Sequence, residues 1–407
     1  MKIAVIGGGA AGLFFAANFR ARNAEVIVCE KSRFILEKLK LTGGGRCNLT
    51  NAESDIAALL AAYPRGGKSL RNIFRNFPPS ETIKWFESRG LKTKVEDEKR
   101  VFPASDSSAD VASLLEKCAL DNGAKILRNF EVESVRISES GAAVLESPSG
   151  IKETADFAVF ARGGKWGEKL QKSLEALGVK FTRQIPSLFG FKSGVSREFG
   201  LEGVSVKNAK LSCAKFGLAS SGGFLFTHEG ISGPCVLKMS SLGAENFFDC
   251  GYSAEFTLNL AENPEELSAF IKNAKLSSAK KRLKNFWFNQ IPQKLWIAVL
   301  ASAGIDPDSL WADFSNDAKK RLVLSAQNFK INCNGKSVNA AEFVCCGGVD
   351  LSQVDLKTMR CKTRPEFFFA GECLNIDAFT GGFNLQAAWS TSFAAAKALE
   401  KIAEENL

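Results

Sequence analysis

The feature that most constrains this chain is a run of spaced glycines, Gly7-x-Gly9-x-x-Gly12. It lies between a short apolar segment, Ile3-Ala4-Val5-Ile6, and a segment of helical composition, Ala10 to Arg22. Val and Ile then return in Ala24 to Cys29, which completes a strand, helix, strand unit. In such a turn the first two glycines permit a tight reversal and close approach of the backbone to a pyrophosphate, and the third lets helix and strand pack. Gly7, Gly9, Ala10, Ala11 and Gly12 are therefore candidate cofactor contacts, with the helix N-terminus facing the anion. Glu30 ends the second strand about 20 residues further on, where a carboxylate accepts ribose hydroxyls and repels a 2′-phosphate. The site suits FAD or NAD rather than NADP. Lys31, beside Glu30, and Lys38 join the candidate set.

Two later segments favour FAD, because a flavin and its ribitol need holding groups beyond those of a simple nicotinamide site. Leu41-Thr42-Gly43-Gly44-Gly45-Arg46-Cys47-Asn48 is a glycine-rich cationic turn. Thr42, Gly44, Gly45, Arg46, Cys47 and Asn48 are candidates there, offering N–H groups and a guanidinium to phosphate or flavin oxygens. The competing reading is a surface loop with a solvated Arg46. Near the other end, Phe369-Ala370-Gly371-Glu372 is a strand closing on a glycine and a carboxylate suited to a ribitol hydroxyl. Thr380-Gly381-Gly382-Phe383-Asn384-Leu385-Gln386 then opens a helix. Gly371, Glu372, Gly381, Gly382, Phe383, Asn384 and Leu385 are candidates, and N–H donors at that helix start favour negative charge on the flavin N1 and C2 carbonyl. Ala161 and Gly163 mark a further turn after the apolar strand Ala158-Val159-Phe160-Ala161.

Length and composition narrow the setting. A chain of 407 residues suggests two or three domains, and 45% hydrophobic with 24% charged residues is ordinary for a globular protein. No apolar run approaches the roughly 18 residues of a membrane span, and the N-terminus lacks the pattern of a secretory signal, so a cytoplasmic protein is expected. Eleven scattered cysteines without a C-x-x-C read as reduced thiols. His228 is the only histidine, which excludes a His-cluster metal site. A net charge of +9 is spread along the chain beside 44 acidic residues, so it permits a nucleic-acid partner without calling for one.

The organisation reads as α/β with a discontinuous FAD-binding Rossmann-like domain, an inserted β-barrel-like domain and a small helical subdomain. The expected boundaries are 1–187 for the first FAD-binding segment, 188–261 for the β-rich insert, 262–327 for the helical subdomain, 328–337 for a returning strand and 338–407 for the second FAD-binding segment. Within the first segment, Ser80 to Gly90 and Ser107 to Asn122 read as capped helices. Lys125 to Leu127, Val132 to Ile137 and Ala142 to Glu146 read as antiparallel strands. Cys345-Cys346 read as small buried residues ending a strand. Trp287, Trp296 and Trp311 lie in the helical stretch and read as core, and Leu385 to Glu404 as a terminal helix.

On these motifs the chain resembles the BaiN-like NAD(P)/FAD-dependent oxidoreductases, a bacterial family that includes bile-acid-type enone reductases and aminoacetone oxidase-like proteins. The residues that carry the resemblance are Gly7 to Gly12, Gly43 to Asn51, Val101 to Asp106, Phe226 to Pro234, Cys346 to Val349, Thr358-Met359 and Ala370 through Trp389. It implies non-covalent FAD held by a two-part domain with a barrel-like insert. It also implies that Val132, opening a strand, contacts the adenine through its backbone. Two departures stand out: Ala161-Arg162-Gly163-Gly164-Lys165 runs quickly into a helix, and Asn375 occupies a position where Asp is more usual.

The expected reaction is transfer of hydride from NAD(P)H, bound transiently, through FAD to a small organic acceptor such as an enone or quinone, or to oxygen. His228, in a Thr-His-Glu-Gly turn, is the catalytic candidate as a proton donor, with a loop-fixing role as the alternative. Cys47 reads as a buried neighbour of the flavin in preference to a redox thiol. The rival readings are a flavoprotein that binds or modifies RNA, and a nucleotide-binding module without catalysis.

Overall fold

A computed structural model of the chain describes residues 1–164, 166–337 and 344–405. These fall into two units, Met1–Ile185 with Val344–Leu407, and Pro186–Phe343.

In the first unit β1 (Lys2–Ile6) is an inner strand of a sheet. It pairs in parallel with β2 (Glu25–Cys29) on one side and with Phe157–Phe160 on the other. Phe367–Phe369 extends the sheet beyond Phe157–Phe160, and Lys125–Leu127 extends it beyond β2. Among the described residues the sheet has seven strands, closed at one edge by the antiparallel pair Val354–Asp355 and Arg360–Cys361. The parallel strands read as largely apolar runs because they are buried on both faces of the sheet. Val5, Phe160 and Phe368 are all fully buried. The strand Phe367–Phe369 comes from the far end of the chain, so this unit is discontinuous.

Two helices seat the glycine turn. The helix α1 (Ala10–Asn18) follows β1, and the C-terminal helix (Phe383–Glu405) packs on it, with the Phe14 and Trp389 ring centres 5.0 Å apart. The chain leaves α1 at Phe19, which is extended and buried with its ring stacked on Phe15, so the helix stops short of the expected Arg22. The helix Ser108–Asp121 starts as expected, with Ser107 accepting the Asp110 N–H. The preceding helix instead spans Pro79–Glu87 and begins on a proline after Pro78, where a missing N–H costs nothing, so Ser80 is no cap.

Three further expectations are corrected. Lys125–Leu127 is a parallel strand in the main sheet, because the free edge of β2 satisfies its backbone. Val132 precedes the strand Ser134–Ile137 and does not open it. That strand joins Ala143–Glu146 and Lys152–Ala155 in an antiparallel sheet. Cys345 and Cys346 lie near the start of the strand Val344–Val349 rather than at its end, and both are buried. The expected boundary at residue 338 lies outside the described residues.

The second unit holds a closed antiparallel barrel of Phe191–Lys192, Gly230–Ser232, Leu218–Phe226, Ser205–Cys213, Ser253–Asn259 and Phe329–Lys336. Phe329–Lys336 alternates buried and exposed residues over most of its length, as a barrel wall requires. The helices Pro264–Ser277, Gln293–Ser302 and Asn316–Gln327 stand between the last two strands in chain order. Trp296 and Trp311 are fully buried there, while Trp287 is left half-buried. Among the described residues no helix is long and apolar enough to cross a membrane.

Candidate functional site

The glycine turn is built as its spacing implies. A Cβ on Gly12 would sit 2.0 Å from the Gly7 carbonyl oxygen, and one on Gly7 would sit 2.9 Å from the Ala161 oxygen. A Cβ on Gly9 would meet nothing within 4 Å, so the face of the turn at the start of α1 is open. That helix has no side-chain cap and no acidic residue in its first turn, which leaves the N–H groups around Ala10 and Ala11 free to meet an anion. Glu30 is held in place by its neighbours: Gly8 N–H donates to Oε2 at 2.8 Å, and the Ser32 N–H and hydroxyl both donate to Oε1 at 2.8 Å. Lys31, beside it, is exposed.

The second glycine turn presents a similar open surface. Gly44 and Gly45 have φ of 69° and 86°, a backbone that favours glycine, and both are exposed with nothing near a would-be Cβ. Thr42 closes the turn behind them, its carbonyl accepting the Cys47 N–H at 2.9 Å. Arg46 faces protein carboxylates: its Nη1 lies 2.9 Å from Glu96 Oε1 and 3.3 Å from Asp106 Oδ1, with the guanidinium over the Phe102 ring. The hydrogen bond from Arg46 holds the Glu96 carboxyl below its usual range, and Lys94 does the same for Asp106. Cys47 is fully buried, and burial pushes its thiol up to about 12, so it stays protonated at neutral pH.

The two ends of the chain meet here. Lys38 donates to Glu372 Oε2 at 2.7 Å, and Glu372 Oε1 accepts the Cys345 N–H at 3.0 Å. A Cβ on Gly163 would lie 2.9 Å from Glu372 Oε2, so a side chain there would push that carboxylate from its present place. Gly371 has φ of 75°, and a Cβ there would press on Ala11 at 2.8 Å, which brings this turn against the start of α1. Gly382 lies so close to Thr50 that a Cβ would come within 2.4 Å of its backbone. With its amide turned to satisfy both sides, Asn48 donates to the Val101 and Thr50 carbonyls and accepts from the Gly382 N–H.

Asn384 closes its own loop, exchanging two hydrogen bonds with the Ala378 main chain, and the Phe383 carbonyl accepts from Tyr63. Leu385 is half-buried in the same first turn. Val132 is 3% exposed, and its main chain makes no hydrogen bond to another described residue, as a backbone reserved for a ligand edge would be. Asn375 Oδ1 is likewise buried without a partner among the described residues.

Two residues of the site escaped the sequence reading. Gln386 is fully buried with a saturated amide, accepting from the Thr50 and Thr82 hydroxyls and donating to the Phe77 carbonyl and to Ser390 Oγ. It ties the start of the C-terminal helix to the strand behind the second glycine turn. Arg162 is 14% exposed, lies 3.8 Å from Glu131 and feels the charge of Glu30, while burial lowers its pKa. Its place inside the Ala-x-Gly-Gly turn was the available signal.

His228 belongs to the second unit. Its side chain is 70% exposed, with Nδ1 3.0 Å from Glu202 Oε1 and Nε2 3.3 Å from Arg197, so both ring nitrogens are engaged.

The first-unit residues fit FAD. The open glycine faces suit a pyrophosphate, the fixed Glu30 suits a ribose, and the unpartnered Val132 backbone suits an adenine edge.

The HI0933-like protein Rossmann domain family matches residues 1–398. A ribosomal RNA dihydrouridine synthase of Haemophilus influenzae is 30% identical, with 98% of each chain covered. A 3-dehydro-bile acid delta(4,6)-reductase of Clostridium scindens is 28% identical, again with 98% of each covered. Among solved structures, the 3-ketosteroid delta1-dehydrogenase of Sterolibacterium denitrificans shares the fold at a TM-score of 0.53, with 12% identity and 98% and 99% of the two chains covered. From the matched residues and the cradle they build, the chain belongs to the HI0933-like Rossmann family and is an FAD-dependent oxidoreductase.

Proposed function

We propose that this enzyme saturates a carbon–carbon double bond conjugated with a carbonyl, in a uracil of ribosomal RNA, using NAD(P)H as the hydride donor in the cytosol. The observation that carries the proposal is the similarity over nearly the full length to two proteins whose names describe one chemistry. Dihydrouridine arises from a uracil ring, and a delta(4,6)-reductase acts on a dienone. Each gains a hydride at the carbon remote from the carbonyl and a proton at the carbon next to it. The balance is one NAD(P)H and one proton consumed per double bond. RNA is favoured by the 30% identity to the synthase over 98% of each chain, and the net charge of +9 is compatible with it.

Bound FAD supplies the two-electron hydride chemistry that side chains lack. The chain's own groups hold and tune it. The start of α1 takes the pyrophosphate, and Glu30 takes the ribose hydroxyls. Glu372, positioned by Lys38, takes a ribitol hydroxyl. The Gly381-Gly382 turn and the start of the C-terminal helix would hold the flavin end, where the helix's partial positive charge would favour added electrons. In this proposal the FAD-binding domain comprises 1–187 and 338–407, with 188–337 as the insert.

The test is stopped-flow under anaerobic conditions. NADH or NADPH should bleach the visible flavin band, and uridine-containing ribosomal RNA should restore it with dihydrouridine formed. The second reading, a small-molecule enone reductase, is favoured by the Clostridium scindens relative. It predicts reoxidation by a steroid enone and indifference to RNA. Absence of flavin in the purified protein would overturn both.

A further inference from the structure

In the helical part of the second unit the chain reads Lys280-Lys281-Arg282-Leu283-Lys284-Asn285-Phe286-Trp287-Phe288, four cations followed by three aromatics. Lys280, Lys281 and Arg282 are exposed, and Phe286 and Trp287 are half-buried. Arg282 and Lys284 share one carboxylate, Asp308, at 2.6 Å each. The segment therefore carries an excess of positive charge that its own neighbours do not cancel.

A run of charges is most often a solvated face, and its backbone then has no need to be fixed. This one is fixed along its length. Leu283 is fully buried, and Phe288 is 6% exposed. The N–H groups of Leu283 and Lys284 donate to the carbonyls of Ser309 and Pro307, and the Trp311 N–H donates to the Lys281 carbonyl. The buried indoles of Trp296 and Trp311 donate to the carbonyls of Leu283 and Phe286. The cations and the aromatic edge are thus presented on a backbone that loses little freedom on binding. Lys281 Nζ lies 4.8 Å from the centre of the Phe286 ring, which is itself stacked on Phe270, so Phe286 is engaged within the protein and Trp287 is the ring left beside the cations.

We propose that the Lys280 to Trp287 ridge is a docking surface for single-stranded RNA, its lysines meeting phosphates and its half-buried Trp287 meeting a base. Cations that track a backbone beside rings that stack on any base are the means by which proteins grip single strands without reading sequence. The inference rests on the RNA reading of the function and adds to it where the strand is held outside the FAD-binding unit.

The experiment uses the full-length, FAD-loaded protein with two probes, deproteinised bacterial ribosomal RNA and a single-stranded oligouridylate. Kd is measured across a salt series for the wild type, for the Lys280→Ala/Lys281→Ala double variant and for Trp287→Ala and Trp287→Phe. FAD content and visible spectrum report that each variant is folded. The double variant should flatten the slope of log Kd against log salt by about 1.4, from about 0.7 per phosphate contact on a single strand. Trp287→Ala should weaken binding at least about fivefold, with Trp287→Phe recovering most of it. If the wild type binds with a steep salt slope and these variants match it, the ridge is not the docking surface and the RNA reading stands. If the wild type binds neither probe, the RNA reading fails and takes the ridge with it.

Discussion

Lys38 Nζ lies 2.7 Å from Glu372 Oε2, although the two residues are 334 positions apart in the chain. The pair joins the segment after β2 to the strand end that returns from the C-terminal part of the sequence. Glu372 is the more enclosed partner, with a 19% exposed side chain against 47% for Lys38. Its other oxygen is anchored on the Cys345 N–H.

The two partners should therefore differ in weight. Glu372→Leu removes the half-exposed pair with Lys38 and also the hydrogen bond from the Cys345 N–H, a bond to a charged group worth about 1.5–3 kcal/mol, and should weaken FAD binding at least tenfold (~1.4 kcal/mol). Lys38→Met removes only a half-exposed ion pair of about 1 kcal/mol or less, so the loss should stay below about fivefold. Fluorescence titration of apoprotein with FAD decides it, and equal affinities for Glu372→Leu and wild type would remove Glu372 from the cradle.

The glycine turn separates folding from binding. A methyl on Gly9 meets nothing in the protein, so Gly9→Ala should leave apoprotein stability within about 0.5 kcal/mol of wild type while obstructing the pyrophosphate. A methyl on Gly12 collides with the Gly7 carbonyl, so Gly12→Ala should cost about 1–3 kcal/mol even without cofactor. Denaturant melts of the two apoproteins, followed by FAD titration, read the difference. A Gly9→Ala protein that retains full FAD affinity would mean that the open face is not the pyrophosphate site.

Alkaline pH should loosen the fold. Burial pushes the thiols of Cys29, Cys47, Cys235 and Cys333 from near 9 up to about 12. Their stabilising contribution is complete below about 9, the unfolded value. It is lost as pH rises toward 12, because the unfolded chain releases protons that the folded chain keeps. Each thiol then contributes a fall of up to about 1.4 kcal/mol per pH unit. Urea midpoints at pH 8, 9.5 and 10.5 should fall in that order, and native protein at pH 8 should resist iodoacetamide at Cys47. A midpoint that rises across this range would contradict the burial of these thiols.

His228 tests the source of the proton. Both ring nitrogens are engaged by Glu202 and Arg197 on an exposed turn, which is the geometry of a residue that fixes its loop. His228→Gln should then keep the rate of acceptor reduction within about twofold and leave its pH profile unchanged. A proton donor would instead lose about 10²–10⁴-fold, with a pH limb disappearing.

Much of the site was legible because its signals are local. Gly7 to Gly12 and Gly43 to Gly45 declare backbone shapes that few other residues adopt, and Glu30 follows at the distance a strand and helix impose. Ser107 was readable as a cap for the same reason. Legibility failed where a neighbour from elsewhere decided the outcome. Arg46 meets Glu96 and Asp106 rather than standing free. Lys125–Leu127 pairs in parallel because an open edge of β2 was there to take it. Gln386 looked like one more helical residue until Thr50, Thr82 and Phe77 gathered around it.

By itself, then, the sequence determined a dinucleotide-binding turn, the α/β class and the family, since these rest on short stretches whose backbone conformation is set by glycine, proline and apolar spacing. Only the tertiary structure decided which charges are paired and which amide is saturated. Those outcomes depend on contacts between residues from 50 to 336 positions apart, and no local preference encodes a partner's approach.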